Sequence, residues 1–383
     1  MTQATKRKHP ARNATLILVA LLIIFVSTTG FFTDVLWYRQ LGYESVFFTQ
    51  IWAKVGLFAA AAITTAVVLG VNLYIANRIR PIYVRLDKDP FAAYREGIEK
   101  ARKLLLIGIP VALGIIAGVS SAGNWEDALL FLNATPTGQI EPQFGMDASF
   151  YLFTLPFLAS LVGFVAGTIG VTAFVILLTH LFHGAIKFNG RNSTITKGAR
   201  VQIGILIALF LTAEAGSLWL DQFKTLTSPS GLYTGATFAD VNAQIPGLQI
   251  LTVIALFVAA LFVAAAFVGK WRLPILGTGL MIVASLILQG VYPWAVQTFQ
   301  VVPNERTLEA DFIERNIEAT RYAYGLGDVE TINYDAKTTA TASDLRKDAE
   351  TTANIRITDP TLVSDAFRQL EQYRQYYGFE NQL

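Results

Sequence analysis

The stretch YPWAVQTFQVVPNERTLEADFIERNIEATRYAYGL, residues 292–326, divides the chain in two. Long apolar runs lead up to it, and polar sequence follows it to Leu383. Within it, Glu305, Glu309, Glu314 and Glu318 alternate with Arg306, Arg315 and Arg321, a pattern that predicts a charged helix over Asn304–Tyr324. Leu308, Phe312, Ile313 and Ile317 supply its apolar face, and Gly325 and Gly327 close it. The fold class follows from what stands on either side: an all-α, polytopic membrane bundle, then the start of another domain.

Working back toward the N-terminus, composition supports this division. The 383 residues are 53% hydrophobic and 15% charged, whereas soluble domains carry about 25% charged residues. Seven runs are long enough to cross a bilayer: Ala14–Thr33, Ile51–Asn77, Leu104–Ala122, Phe150–Phe182, Val201–Leu220, Leu248–Val268 and Ile275–Trp294. The first is read as an uncleaved anchor. Its apolar core is too long for a signal peptide, and Phe31 and Phe32 replace the small residues that cleavage needs. Pro156 is expected to break the fourth run into an interfacial piece and a true span. Gly163, Gly167 and Gly170 then offer a small-residue face for packing within the bundle.

Basic residues orient the spans. With the N-terminus inside, inner segments hold eighteen Lys and Arg, and the outer loops hold only Arg39 and Lys224. The expectation is a plasma-membrane protein with residues 1–13 cytoplasmic, a transmembrane domain over 14–296, and residues 297–383 opening an extracytoplasmic domain that continues beyond Leu383. The basic inner face suits anionic lipid headgroups. Topology accounts for it, so no nucleic acid is expected as a partner.

The loops carry further readings. Aromatic Trp37, Tyr38, Tyr43, Phe47 and Phe48 predict an interfacial amphipathic helix within Thr33–Gln50. Trp125–Asn133 is a second short apolar patch, and Asp89-Pro90 starts a surface helix in an inner loop. After the charged helix, Val329–Ala353 is polar, Asn354–Thr358 reads as a short strand, and Asp359-Pro360 opens a last helix.

Several of these strings resemble the large bacterial membrane proteins of uncharacterised protein family 0182 (UPF0182). They are DVLWYRQLGYESVFF from Asp34, DPFAAYREGIEKARKLLLIGIP from Asp89, EPQFGMDASFYLFTLP from Glu141, TGATFADVNAQIPGL from Thr234, and PNERTLEADFIERNIEATRYAYGL from Pro303. The resemblance implies seven spans followed by a large extracytoplasmic domain, and it implies no established activity. Two residues depart from the family pattern: Glu141 stands where an aspartate is expected, and Glu214 where a lysine is expected.

Candidate chemistry is sparse. With no cysteine and only His9, His180 and His183, disulfides, thiolate sites and most metal sets are excluded, and neither metal nor cofactor is expected. Glu214 and Lys54 are the charges inside spans. They suit either a transport path or a structural pair, and Lys54 suits snorkelling as well. Asp34, Glu44, Asp147 and Glu141 are acids of the outer loops, suited to lipid-processing catalysis or to plain capping. Three functions follow in order: a non-enzymatic envelope interaction or assembly component within a larger membrane complex, with lipids and other envelope proteins as partners; a transporter of envelope material; and an outer-leaflet lipid-processing enzyme.

Overall fold

The computed structural model describes residues 10–81, 102–189, 192–229, 233–330, 332–334, 341–347, 366, 367, 369 and 370. It divides into two units, Met1–Thr320 and Arg321–Leu383. The readings at Asp89-Pro90, Asn354–Thr358 and Asp359-Pro360 lie outside the described residues.

The principal described helices are α1 (Pro10–Gln40), α2 (Glu44–Arg78), α3 (Arg102–Ala122), the short α4 (Trp125–Leu132), α5 (Leu155–Phe182), α6 (Lys197–Lys224), α7 (Ile245–Val268) and α8 (Arg272–Leu286) in the first unit, and α9 (Ala310–Ala323), whose last three residues fall in the second. Among the described residues, six helices are long and apolar enough to cross a membrane, and α1 is a further helix containing the apolar run 14–33. The bundle is layered by neighbours: α3 on α2, α2 on α5, α5 on α6, α6 on α7 and α7 on α8. Its outside carries large apolar side chains such as Trp52, Ile63, Ile116, Phe174, Phe257 and Leu280. Its inside is rich in small and hydroxyl residues, including Ala61, Thr65, Thr172, Ala255 and Ala266. Bilayer helices gain nothing by hiding large aliphatics from lipid, so close approach and buried hydrogen bonds decide the contacts.

Buried polar side chains join neighbouring helices. The Thr65 and Thr168 hydroxyls meet at 3.2 Å between α2 and α5. His180 Nε2 lies 2.9 Å from Gln202 Oε1, and Gln202 Nε2 donates to the Asn72 carbonyl at 2.8 Å and to its Oδ1 at 3.2 Å. One imidazole and two amides thus tie α5, α6 and α2, which gives His180 a structural role. Among the described residues no cluster of His, Asp and Glu is arranged for a metal.

Prolines explain the irregular helix segments. Wide π-turns at Phe150–Thr154, Asp240–Gln244, Ile287–Val291 and Val296–Val301 each end shortly before a proline: Pro156, Pro246, Pro293 and Pro303. A proline has no N–H to donate and its ring crowds the carbonyl four residues back, so opening the preceding turn accommodates it. The fourth run therefore does not break at Pro156, and the helix continues from Phe150 to Phe182. The last run likewise does not stop at Trp294. It continues through two π-turns to Leu308, and none of its most apolar stretch is buried.

Two other expectations are corrected. No separate interfacial helix occupies Thr33–Gln50, because α1 and α2 extend into it and leave a turn at Leu41–Tyr43. Gly42 makes that turn at φ 76°, with the Tyr43 N–H bonded to the Tyr38 carbonyl and the Gly42 N–H to that of Arg39, a glycine helix stop. Of the three glycines expected on a packing face, Gly170 does pack, with an added Cβ 3.2 Å from the Phe210 ring of α6, whereas a Cβ on Gly163 or Gly167 meets nothing within 4 Å. Those two line a groove of about 420 Å³ between α2, α3 and α5. Tighter packing falls to Gly114 and Gly118 of α3, where an added Cβ would lie 2.6 Å from the Ala62 carbonyl oxygen and 2.8 Å from that of Phe58.

The helical class holds with one addition, a hairpin of β1 (Ile186–Asn189) and β2 (Asn192–Ile195) between α5 and α6. Its register pairs Ile186 with Ile195 and Asn189 with Asn192. A two-residue Gly190-Arg191 link between two short runs was the sequence signal for it. In the second unit, Gly325 (φ 65°) ends the helix, and at the start of a short helix, Ala342–Lys347, the Asp344 carboxylate accepts from the N–H and the hydroxyl of Thr341 (3.0 and 2.6 Å).

Candidate functional site

The end of the bundle opposite the hairpin gathers most of the sequence-predicted charges. Asp147 is fully engaged there. Its carboxylate accepts hydrogen bonds from the Ser149 N–H (2.8 Å), the Gly138 N–H (2.9 Å), and the Thr137 N–H and hydroxyl (3.1 and 2.9 Å). Those bonds, Ser149's first, hold its carboxyl well below the usual carboxylate range. Glu141 organises the same loop, accepting from the N–H groups of Gln143 (2.6 Å) and Phe144 (2.8 Å) and from the Tyr151 hydroxyl (3.1 Å). A carboxylate held this way is a poor proton acceptor, so Asp147 is a loop-forming acid.

A depressed carboxyl stabilises the folded loop above the unfolded-state pKa, and that contribution fades as pH falls toward the lowered folded value. Asp147→Asn is therefore expected to speed amide exchange across residues 137–149 at neutral pH. The difference from the parent should narrow steadily below about pH 4, the ordinary aspartate value. Hydrogen exchange at two pH values, corrected for intrinsic rates, measures it; a difference that widens in acid contradicts the assignment.

Lys54 and Asp34 are brought to one cavity of about 540 Å³ between α1 and α2. Phe31, Trp37, Tyr38 and Phe47 form its aromatic wall. Phe47 is its buried anchor, with ring centroids 5.7 Å from Phe31 and 5.2 Å from Tyr38. The Lys54 ammonium sits 5.2 Å from the centre of the Trp125 ring of α4, a cation–π distance. Glu44 stands apart from this cavity in the first turn of α2, where a negative charge favours the helix start. Glu214 is half-buried on α6 and lines none of the three cavities described in this section and the preceding one. Lys54 and Glu214 make no ion pair within 4 Å, so the structure does not bring these two charges together.

The residue that sequence reading missed is Glu309. Only 2% of it is exposed. Its carboxylate accepts from the Tyr233 hydroxyl (2.9 Å) and, through both oxygens, from the Phe238 N–H (3.1 and 3.2 Å). Burial, and then the bond to Glu309, raises the Tyr233 phenol above its ordinary value. Two further residues on the same face complete the joint. Phe312 packs edge-on against Phe238 at 6.4 Å, and Asn316 Nδ2 donates to the Thr234 carbonyl at 2.8 Å. Positions 309, 312 and 316 share one face of a helix. Ile313 and Ile317, expected on the apolar face, are exposed. The loop between α6 and α7 presents backbone groups and a phenol, so an acid and an amide make the better counterpart. A small cavity of about 180 Å³ opens beside this joint, bordered by Gln143, Tyr233, Arg315 and Asn316.

Among the described residues, a helical bundle with six membrane-length helices and a loop clasped to the segment after the last of them defines a polytopic, all-α protein. The chain belongs to the uncharacterised protein family UPF0182, whose sequence pattern matches residues 12–383. It is 47% identical over 382 residues to a UPF0182 protein of Clavibacter sepedonicus, covering 99% of this chain and 39% of that protein. It is 43% identical over 391 residues to one of Leifsonia xyli subsp. xyli, covering 100% of this chain and 40% of that one. A Tropheryma whipplei relative is 41% identical over 372 residues, with 97% and 38% covered. The chain thus spans about two fifths of the length of these curated relatives. No solved structure matches it.

Proposed function

We propose that this chain is the membrane-embedded mount of an envelope protein, acting by holding and assembling and not by catalysis. In this reading it crosses the plasma membrane seven times with residues 1–13 in the cytoplasm. It presents the segment after Leu308 on the outer face, as a component of a larger complex of envelope proteins and lipids. The observation that carries the proposal is the Glu309 clasp, which fixes the start of the following segment onto a loop of the bundle. A flexible tether would need no such joint. The distribution of eighteen basic residues against two supports the orientation.

The experiment is isolation of the full-length protein in mild detergent, with identification of what co-purifies. Expected is a fixed proportion of one or more envelope proteins, reduced when Glu309 is replaced by alanine. Recovery of the chain alone counts against the proposal. Orientation is checked by single cysteines at Thr194 and Thr234, with any cysteine outside residues 1–383 replaced by serine, since these residues include none. A membrane-impermeant maleimide is expected to label intact cells at Thr234→Cys and not at Thr194→Cys.

A further inference from the structure

We infer that the cavity between α1 and α2 binds the headgroup of a membrane lipid that carries both a phosphate and an ammonium, with Lys54 on the phosphate and Asp34 on the ammonium. The inference rests on the membrane-spanning reading above and goes beyond it to a ligand.

Depth is the first argument. Lys54 and Arg78 stand on one continuous helix, α2, and their separation of 24 positions corresponds to about 36 Å at 1.5 Å per residue. The hydrocarbon core of a bilayer is about 30 Å thick. With Arg78 in one headgroup layer, Lys54 stands in the other, level with phosphates and not among acyl chains.

Charge is the second. Lys54 has one face on the Trp125 ring, and no carboxylate among the described residues pairs with it within 4 Å. It shares the cavity with Asp34 without forming an ion pair with it. An ammonium and a carboxylate facing one cavity, each without the other, match a ligand bearing both opposite charges. The aromatic wall is the third argument. Trp37 and Tyr38 stand beside Asp34, with ring centroids 5.0 Å apart and edge to face. Aromatic faces next to a carboxylate suit an ammonium, as in cages for choline-like groups. A purely anionic headgroup would satisfy Lys54 and leave Asp34 opposed.

The test uses the full-length protein in vesicles of phosphatidylglycerol with a minor fraction of phosphatidylethanolamine, followed by detergent extraction and mass spectrometry of retained lipid. Retained phosphatidylethanolamine is expected to be enriched roughly ten-fold over its share in the vesicle, the worth of one charge-assisted contact. Lys54→Gln and Asp34→Asn should each bring the enrichment close to unity, and Lys54→Arg should keep most of it. Retention in proportion to the vesicle composition overturns the inference, as does enrichment that survives both neutral substitutions. Full displacement by soluble glycerophosphoethanolamine would assign the site to a free headgroup, and so would also overturn it. A chain that alkaline carbonate strips from the vesicles sinks the membrane reading itself. An integral chain without lipid preference sinks only the headgroup site.

Discussion

Replacing Glu309 with alanine is expected to release the loop at residues 233–240 from the helix that follows the last membrane-length segment. The carboxylate is buried, and its removal strands the Phe238 N–H and the Tyr233 hydroxyl together. Losing charge-assisted bonds and leaving their partners unsatisfied costs on the order of 3 kcal/mol. That corresponds to a rise of more than a hundred-fold in local opening. Hydrogen exchange should show the Phe238 amide exchanging faster by about that factor, with α2, α3 and α5 unchanged. Glu309→Gln keeps one acceptor oxygen and the side-chain volume, so it should lie between the two. An alanine variant with a fully protected Phe238 amide would show that the clasp contributes nothing.

The second large effect is expected inside the bundle. Leucine at Gly114 would drive a Cβ to within 2.6 Å of the Ala62 carbonyl oxygen. That atom is helix backbone and can move only if α2 and α3 separate. Overpacking of this kind costs about 3 kcal/mol, which outweighs the roughly 0.8 kcal/mol regained in helix propensity. The thermal midpoint in detergent should fall by several degrees, a shift of the order such an energy produces. Gly163→Leu is the matched control, because its Cβ meets nothing within 4 Å, and its midpoint should be nearly unchanged. Equal losses at Gly114 and Gly163 would refute the assignment of the tight contact to α3.

The pair of glycine motifs shows what the sequence could and could not express. Both Gly114/Gly118 and Gly163/Gly167 carry the same spacing on apolar helices. Only their partners distinguish them, and partners are a property of the folded bundle. Helix existence was legible because apolar length alone demands it in a bilayer. Helix ends were less so. The π-turns before Pro156 and Pro293 let helices run through prolines that would stop a regular α-helix. The hairpin was marked only by Gly190-Arg191 between two runs of four residues, too short for a periodicity to stand out.

The candidate site followed the same division. Lys54 and Asp34 stood out as charges near membrane-length runs, yet their meeting depends on α1 folding back beside α2 at the Gly42 turn. Glu309 was hidden in an alternation of acids and arginines that reads as a solvated face. Nothing in that alternation separates the buried acid from exposed Glu305, Glu314 and Glu318. The aromatic anchor Phe47 was visible only as part of a belt.

The paired π-turns between Leu286 and Val302 also set an angle. Each wide turn inserts about one residue relative to an α-helix, so everything beyond it lags by roughly 100° around the axis. Two of them, at Ile287–Val291 and Val296–Val301, retard the emerging segment by more than half a revolution. The 3₁₀ turn at Val302–Asn304 then takes back part of that lag before Glu309 is reached. Pro293 and Pro303 therefore do more than interrupt hydrogen bonding: the wide turns before them change the rotational phase in which the segment carrying Glu309 leaves the bundle.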